Sequence, residues 1–110
     1  MTDKILVFTA CGSAEEAERI ARLLVESRLA ACVAIAPAIR SVYHWRGAIE
    51  ESEEWALSIK SRRDLFGPLS EAIRRAHSYE TPEILALPVA ESSAEYMHWM
   101  DESLRPVVGD

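Results

Sequence analysis

Two amino acids are missing altogether: the 110 residues contain neither asparagine nor glutamine. That excludes any mechanism that needs a carboxamide side chain in an oxyanion hole or a phosphate pocket. Together with the strong preference for Arg over Lys, it fits a heat-adapted source or a GC-rich genome. Cysteine is scarce as well. Cys11 and Cys32 stand in neither a CxxC nor a zinc-type spacing, so both are expected to be free thiols. No Gly-rich phosphate loop is present and no Ser, His and acid set stands out, so no catalytic residue and no organic cofactor site is assigned and no enzyme is expected. No apolar run approaches the roughly 20 residues of a membrane span. The opening Met1-Thr2-Asp3-Lys4 leads into a strand-like run instead of a secretory signal, which predicts a cytoplasmic protein without membrane contact. Positive charge is short too: 12 Lys and Arg face 18 Asp and Glu, a net charge of -6, with the basic residues dispersed. The footprint of a nucleic-acid binder is absent, and nucleic acid is not expected as a partner.

What is present is organised around the stretch from Cys32 to Arg62. From Val33 to Trp45 the odd positions are bulky (Val33, Ile35, Ile39, Tyr43, Trp45) and the even ones small or polar, the period of a strand. An acidic connection carrying Glu50, Glu51, Glu53 and Glu54 follows. Glu54 to Arg62 then alternates again, with Trp55, Leu57 and Ile59 on one side, as the returning strand of a hairpin. Pro37 cannot donate to a ladder and marks a bulge or an edge.

Upstream, Ile5-Leu6-Val7-Phe8 is a short apolar run suited to a buried strand. Ser13 and Glu16 form a capping box for a helix with Ala17, Ile20 and Leu24 on its inner face, ending near Arg28. Downstream, Asp64 to His77 predicts a second helix, with Gly67-Pro68 tolerable only in its first turn. Thr81-Pro82 closes a loop before a strand over Ile84 to Leu87. Ser92 and Glu95 cap a short last helix bearing Tyr96, Trp99, Met100 and Leu104. Residues 1–110 thus read as one α+β domain, a ferredoxin-like βαββαβ sandwich with a long central hairpin and a short C-terminal helix. The expected core is Ile5, Val7, Ile20, Leu24, Leu57, Ile59, Ile73 and Leu85. Both hairpin strands exceed the usual length, and Tyr43, Trp45 and Trp55 near the tip need a cover that so small a domain does not supply. A subunit interface is the economical cover.

Three stretches carry a resemblance. Leu29-Ala30-Ala31-Cys32-Val33, Ser41-Val42-Tyr43-His44-Trp45-Arg46-Gly47 with Ile49-Glu50-Glu51, and His77-Ser78-Tyr79-Glu80-Thr81-Pro82-Glu83-Ile84 with Leu87-Pro88 resemble the CutA family of divalent-cation tolerance proteins, over nearly the whole chain. The resemblance implies a homotrimer whose hairpins wrap onto neighbouring subunits, a cytoplasmic role in metal-ion tolerance, and copper binding; it brings no reaction with it. Ser78 stands where the family usually has proline. Phe8 and Ala76 stand where members proposed to bind metal offer a cysteine and a second histidine.

For a divalent metal, copper or zinc by donor type, the candidate ligands are His77, Glu80, Glu83 and Cys11. Each has a plainer role beside it. His77 ends a helix, where it caps carbonyls, and nothing near Cys11 in sequence lowers its pKa, so it suits a buried filler. Cys32 reads as core. Met97, His98 and Met100 look like soft ligands, yet Trp99 between them marks a packing face. The acidic stretch lacks calcium-loop spacing and reads as a solvated tip, or as one meeting Arg40 or Arg46 of another subunit. A second function class stays open: Tyr43, Tyr79, His77 and Glu80 lining a cleft between subunits, in a regulator that binds a small molecule.

Overall fold

A computed structural model describes residues 1–107. The elements run β1 (Lys4–Cys11), α1 (Ala14–Glu26), β2 (Cys32–Trp45), β3 (Ala48–Arg62), a 3-10 turn (Arg63–Leu65), α2 (Phe66–Ala76), β4 (Leu85–Pro88) and α3 (Ala94–Ser103). The sheet has the order β2-β3-β1-β4, antiparallel throughout. This is the expected ferredoxin-like arrangement, with β1 and β3 central and β4 at an edge.

Register assigns the faces. Val7 lies opposite Ile59 and Thr9 opposite Leu57; Val7, Leu57 and Ile59 pack with Ala17, Ile20 and Leu24 of α1 and Leu69 and Ile73 of α2 in one core. The helix stripes recur at helical spacing, so each helix lays its apolar side on this sheet face. Leu6 and Phe8 point the other way, opposite Leu87 and Leu85 of β4. Leu85, a core residue by expectation, instead sits on the face turned away from α1 and α2 and is 59% exposed. The apolar run that suggests burial is real, but among the described residues nothing covers Leu85 and Leu87 on this face.

The hairpin differs from the sequence reading in two ways. Its turn is only Arg46-Gly47, closed by the pair Trp45 and Ala48, and both turn residues have positive φ, 52° and 83°. That is the two-residue turn whose twist matches its strands. The four glutamates therefore belong to β3, not to a connection. Secondly, a bulge falls at Pro37-Ala38: Ala36 opposes Ala56, and the next pair is Ile39 with Glu54. Ala38 takes φ 58° to absorb the extra residue. Alternation consequently does not run unbroken along β2. Val33 and Ile35 share the face of Leu57 and Ile59, whereas Ile39, Tyr43 and Trp45 share the face of Glu54. Trp55 lies opposite Cys11, on the other face from Tyr43 and Trp45 and away from the tip.

Local signals explain the remaining joints. Ser13 Oγ accepts from Glu16 N–H at 3.2 Å, and α1 ends on Ser27 and the left-handed Arg28. Pro68 falls in the first turn of α2. The cap of α3 is Ser93, accepting from Tyr96 N–H, one residue beyond the Ser92 expected. Buried Arg62 donates to Asp64 at 2.6 Å, to Asp101 at 3.1 Å and to the Arg105 carbonyl at 2.6 Å. It joins the end of β3 to α3 and satisfies most of a guanidinium that burial would otherwise penalise.

Candidate functional site

The chemistry gathers where β1 ends, where α2 ends and where the hairpin leaves the sheet. α2 stops at His77, whose N–H still reaches the Ile73 carbonyl at 3.0 Å. The loop that follows wraps past the end of β1. Tyr79 crosses Gly12 so closely that a Cβ there would meet its hydroxyl at 3.2 Å, so the glycine makes room for the ring.

His77 is buried, and both ring nitrogens are engaged. Nε2 donates to the Ala10 carbonyl at 2.8 Å. Nδ1 accepts from the Tyr79 backbone N–H at 3.1 Å, which uses the lone pair a metal would need. The ring lies 4.7 Å from that of Tyr79 and steadies the turn. Cys11 Sγ is 3.9 Å from Nε2. Burial, with the charges of Glu16 and Glu54 adding to it, pushes the Cys11 thiol up to about 11, which keeps it protonated and a poor metal ligand at neutral pH.

Glu16, known from sequence only as half of a capping box, holds the loop. Its carboxylate accepts from Ser78 N–H at 2.6 Å and from Ser78 Oγ at 3.1 Å. Burial works against its charge, but the Ser78 donors, the nearby His77 and the Gly12 N–H together hold its carboxyl below the ordinary value of 4.5. Ser78 thus provides a backbone donor that proline lacks. The second missed residue is Glu54, buried in β3, whose Oε2 accepts from the Tyr79 hydroxyl at 2.8 Å. Burial first, and then that bond to Glu54, push the Tyr79 phenol well above its usual range, so it remains a donor. Extending the Trp55-Leu57-Ile59 alternation back by one residue finds Glu54 on the face opposite Trp55. No pattern announces the role of Glu16.

On the far side of Tyr79 the loop meets the hairpin. Arg46 Nη2 donates to Glu80 at 2.9 Å, and its guanidinium lies 5.3 Å from the centroid of the Trp45 ring. Arg40 donates to Glu51 at 2.7 Å. Of the four acidic residues, Glu51 therefore meets an arginine of its own chain, while Arg46 is turned to Glu80 of the loop. Between loop and hairpin lies an open cleft of about 460 Å³ lined by Tyr43, Trp45, Glu54, Tyr79, Glu80 and Glu83, among others. Of the residues expected to line a cleft between subunits, Tyr43, Tyr79 and Glu80 line this cleft within one chain, and His77 lies beneath it.

The four proposed metal ligands fall into two groups. His77 and Cys11 meet under the loop, while Glu80 and Glu83 line the cleft, with Glu80 bound to Arg46. Among the described residues no group of three or more His, Cys, Asp or Glu is arranged to hold a metal ion. In this chain the residues do not fit a tight copper or zinc site. Nor does α3 provide one: Met100 is core, and the exposed His98 lies 3.4 Å from Glu102.

A family model described as CutA1 divalent ion tolerance protein matches residues 5–103. The chain is 43% identical over 98 residues to the divalent-cation tolerance protein CutA of Thermus thermophilus, covering 89% of this chain and 95% of that protein. It is 43% identical over 95 residues to mouse protein CutA, covering 86% of this chain but only 54% of the mouse protein, so it spans about half the length of that relative. The solved structure of a protein described as the periplasmic divalent cation tolerance protein CutA from Archaeoglobus fulgidus superposes with a TM-score of 0.90 at 39% identity, covering 93% of this chain and 99% of that one. Family model, relatives and fold agree: the chain belongs to the CutA1 divalent ion tolerance family.

Proposed function

We propose that this protein acts in divalent-cation tolerance as a cytoplasmic homotrimer and not as an enzyme. One observation carries the assembly: beyond Trp55 the hairpin pairs only with itself, and it leaves Val42 at 64% and Ile49 at 69% exposed. Leu85 and Leu87 on the open sheet face are bare as well. Apolar surface of this extent beside an unsupported arm favours burial against other copies, and the family resemblance supplies the number three. The experiment is sedimentation equilibrium with light scattering. A species of three chain masses is expected at micromolar concentration, and a monomer at that concentration overturns the reading.

The geometry at His77 and Cys11 argues against tight sequestration as the means of tolerance. Copper(II) or zinc is expected to bind at micromolar affinity or weaker; titration calorimetry revealing nanomolar binding would sink this part. A second reading, a regulatory trimer that holds a small molecule, is favoured by the cleft between Tyr79 and the hairpin. In that reading the loop from His77 to Glu83 senses the ligand, through Tyr79 and Glu80.

A further inference from the structure

The molecule buries two carboxylates at the same end of the sheet and treats them differently. Glu16 is saturated with donors from Ser78 and Gly12. Glu54 is only 7% exposed, yet its one hydrogen-bond donor is the Tyr79 hydroxyl. The arginines of the arm are committed elsewhere, Arg40 to Glu51 and Arg46 to Glu80. A carboxylate this deeply buried normally has a cation beside it. Among the described residues none pairs with Glu54, and Glu54 lines the cleft.

The remaining walls indicate what kind of cation is missing. Tyr43, Trp45 and Tyr79 present aromatic surface, and Trp45 already carries a guanidinium, that of Arg46, 5.3 Å from its ring centroid. Aromatic faces with carboxylates beside them are the chemistry that holds ammonium and guanidinium groups. Anions are disfavoured by Glu54, Glu80 and Glu83. A bare metal ion finds no group of three donors among the described residues. A volume of about 460 Å³ suits a small molecule. We infer that this cleft binds a small organic cation, an ammonium or guanidinium compound, with Glu54 as its counter-charge and Trp45, Tyr43 and Tyr79 as its walls. Arg46 occupies the rim as an internal competitor. The inference rests on the small-molecule reading of the cleft and specifies its ligand.

The test uses the full chain in its own assembly and three probes of matched shape: n-butylammonium, butyrate and 1-butanol, each followed by calorimetry at constant ionic strength. Butylammonium is expected to saturate, with butyrate and butanol at least about tenfold weaker. Glu54→Gln, which keeps shape and removes charge, should weaken butylammonium by about tenfold or more. Glu83→Gln gives an independent measure that does not depend on the first variant assembling, and it should also weaken binding. Arg46→Ala should tighten it. Parent-like affinity in both glutamine variants overturns the proposal. Preference for butyrate or butanol overturns the cation assignment and leaves the cleft a ligand site. Saturation by none of the probes overturns the small-molecule reading itself.

Discussion

β3 passes through two environments, and the contrast between them divides the molecule. From Trp55 to Arg62 it has β1 on one side and β2 on the other, and Leu57 and Ile59 lie under α1 and α2 with no exposure. From Ala48 to Glu54 it has β2 alone, and its apolar residues face outward. The helix-covered side of the body buries its core within one chain, whereas its other sheet face leaves Leu85 and Leu87 exposed. The arm has its hydrogen bonds and its turn, but not its burial, so its stability is borrowed from whatever covers it. In the proposed trimer, folding and assembly would fall to different stretches of the same strands.

The sharpest way to break this comparison is Trp45→Ala. If the proposed trimer covers the arm, truncating this large aromatic should cost about 3 to 5 kcal/mol at each interface. Light scattering should register dissociation, while circular dichroism retains the secondary structure of the body. A persistent trimer with merely lowered thermal stability would mean that Trp45 packs mainly in its own subunit. Leu57→Ala is the counterpart in the body. A loss of about 2 to 5 kcal/mol is expected from the cavity it leaves, read from denaturant midpoints. It should appear with little change in the subunit dissociation constant.

Smaller effects come from the loop that joins the two regions. Because the carboxyl of Glu16 titrates below its ordinary value of 4.5 in the folded protein, its stabilisation is complete above that value. It is lost as the pH falls through the lower, folded value. Glu16→Ala, leaving the Ser78 donors unpaired, should cost about 1 to 3 kcal/mol and flatten the acid limb of a stability-against-pH curve. An unchanged acid limb would show that Ser78 finds other acceptors. The smallest effect is assigned to Arg40 and Glu51. Their exposed pair should contribute about 0 to 1 kcal/mol in a double-mutant cycle, falling with added salt.

Much of the body is legible in the amino-acid order alone. The apolar run at Ile5, the Ser13 cap, the stripe of Ile20 and Leu24, and the Trp55-Leu57-Ile59 alternation each record a local rule that the fold obeys. Leu85 shows where that legibility stops. An apolar residue in a strand looks the same whether the fold of its chain covers it or leaves it exposed. The bulge shows a second limit, for Pro37 marks the place but not how the faces re-register beyond it. That shift decides that Tyr43 and Trp45 join Glu54 in a cleft. Of the metal candidates, His77 stands out in the sequence, but its use of both nitrogens does not, because that depends on Ala10 and Tyr79 at positions set by tertiary structure.

The bulge also governs aim. Without Ala38, Pro37 would oppose Trp55 and Ile39 would still oppose Glu54, so every cross-strand pair of the arm would survive. The extra twist and bend of the strand at that point would not. A chain lacking Ala38 should therefore fold its body and close its hairpin, yet point the arm elsewhere and fail to trimerise although every aromatic at the tip is present. One residue would then carry direction, a property that no inventory of contacting side chains contains.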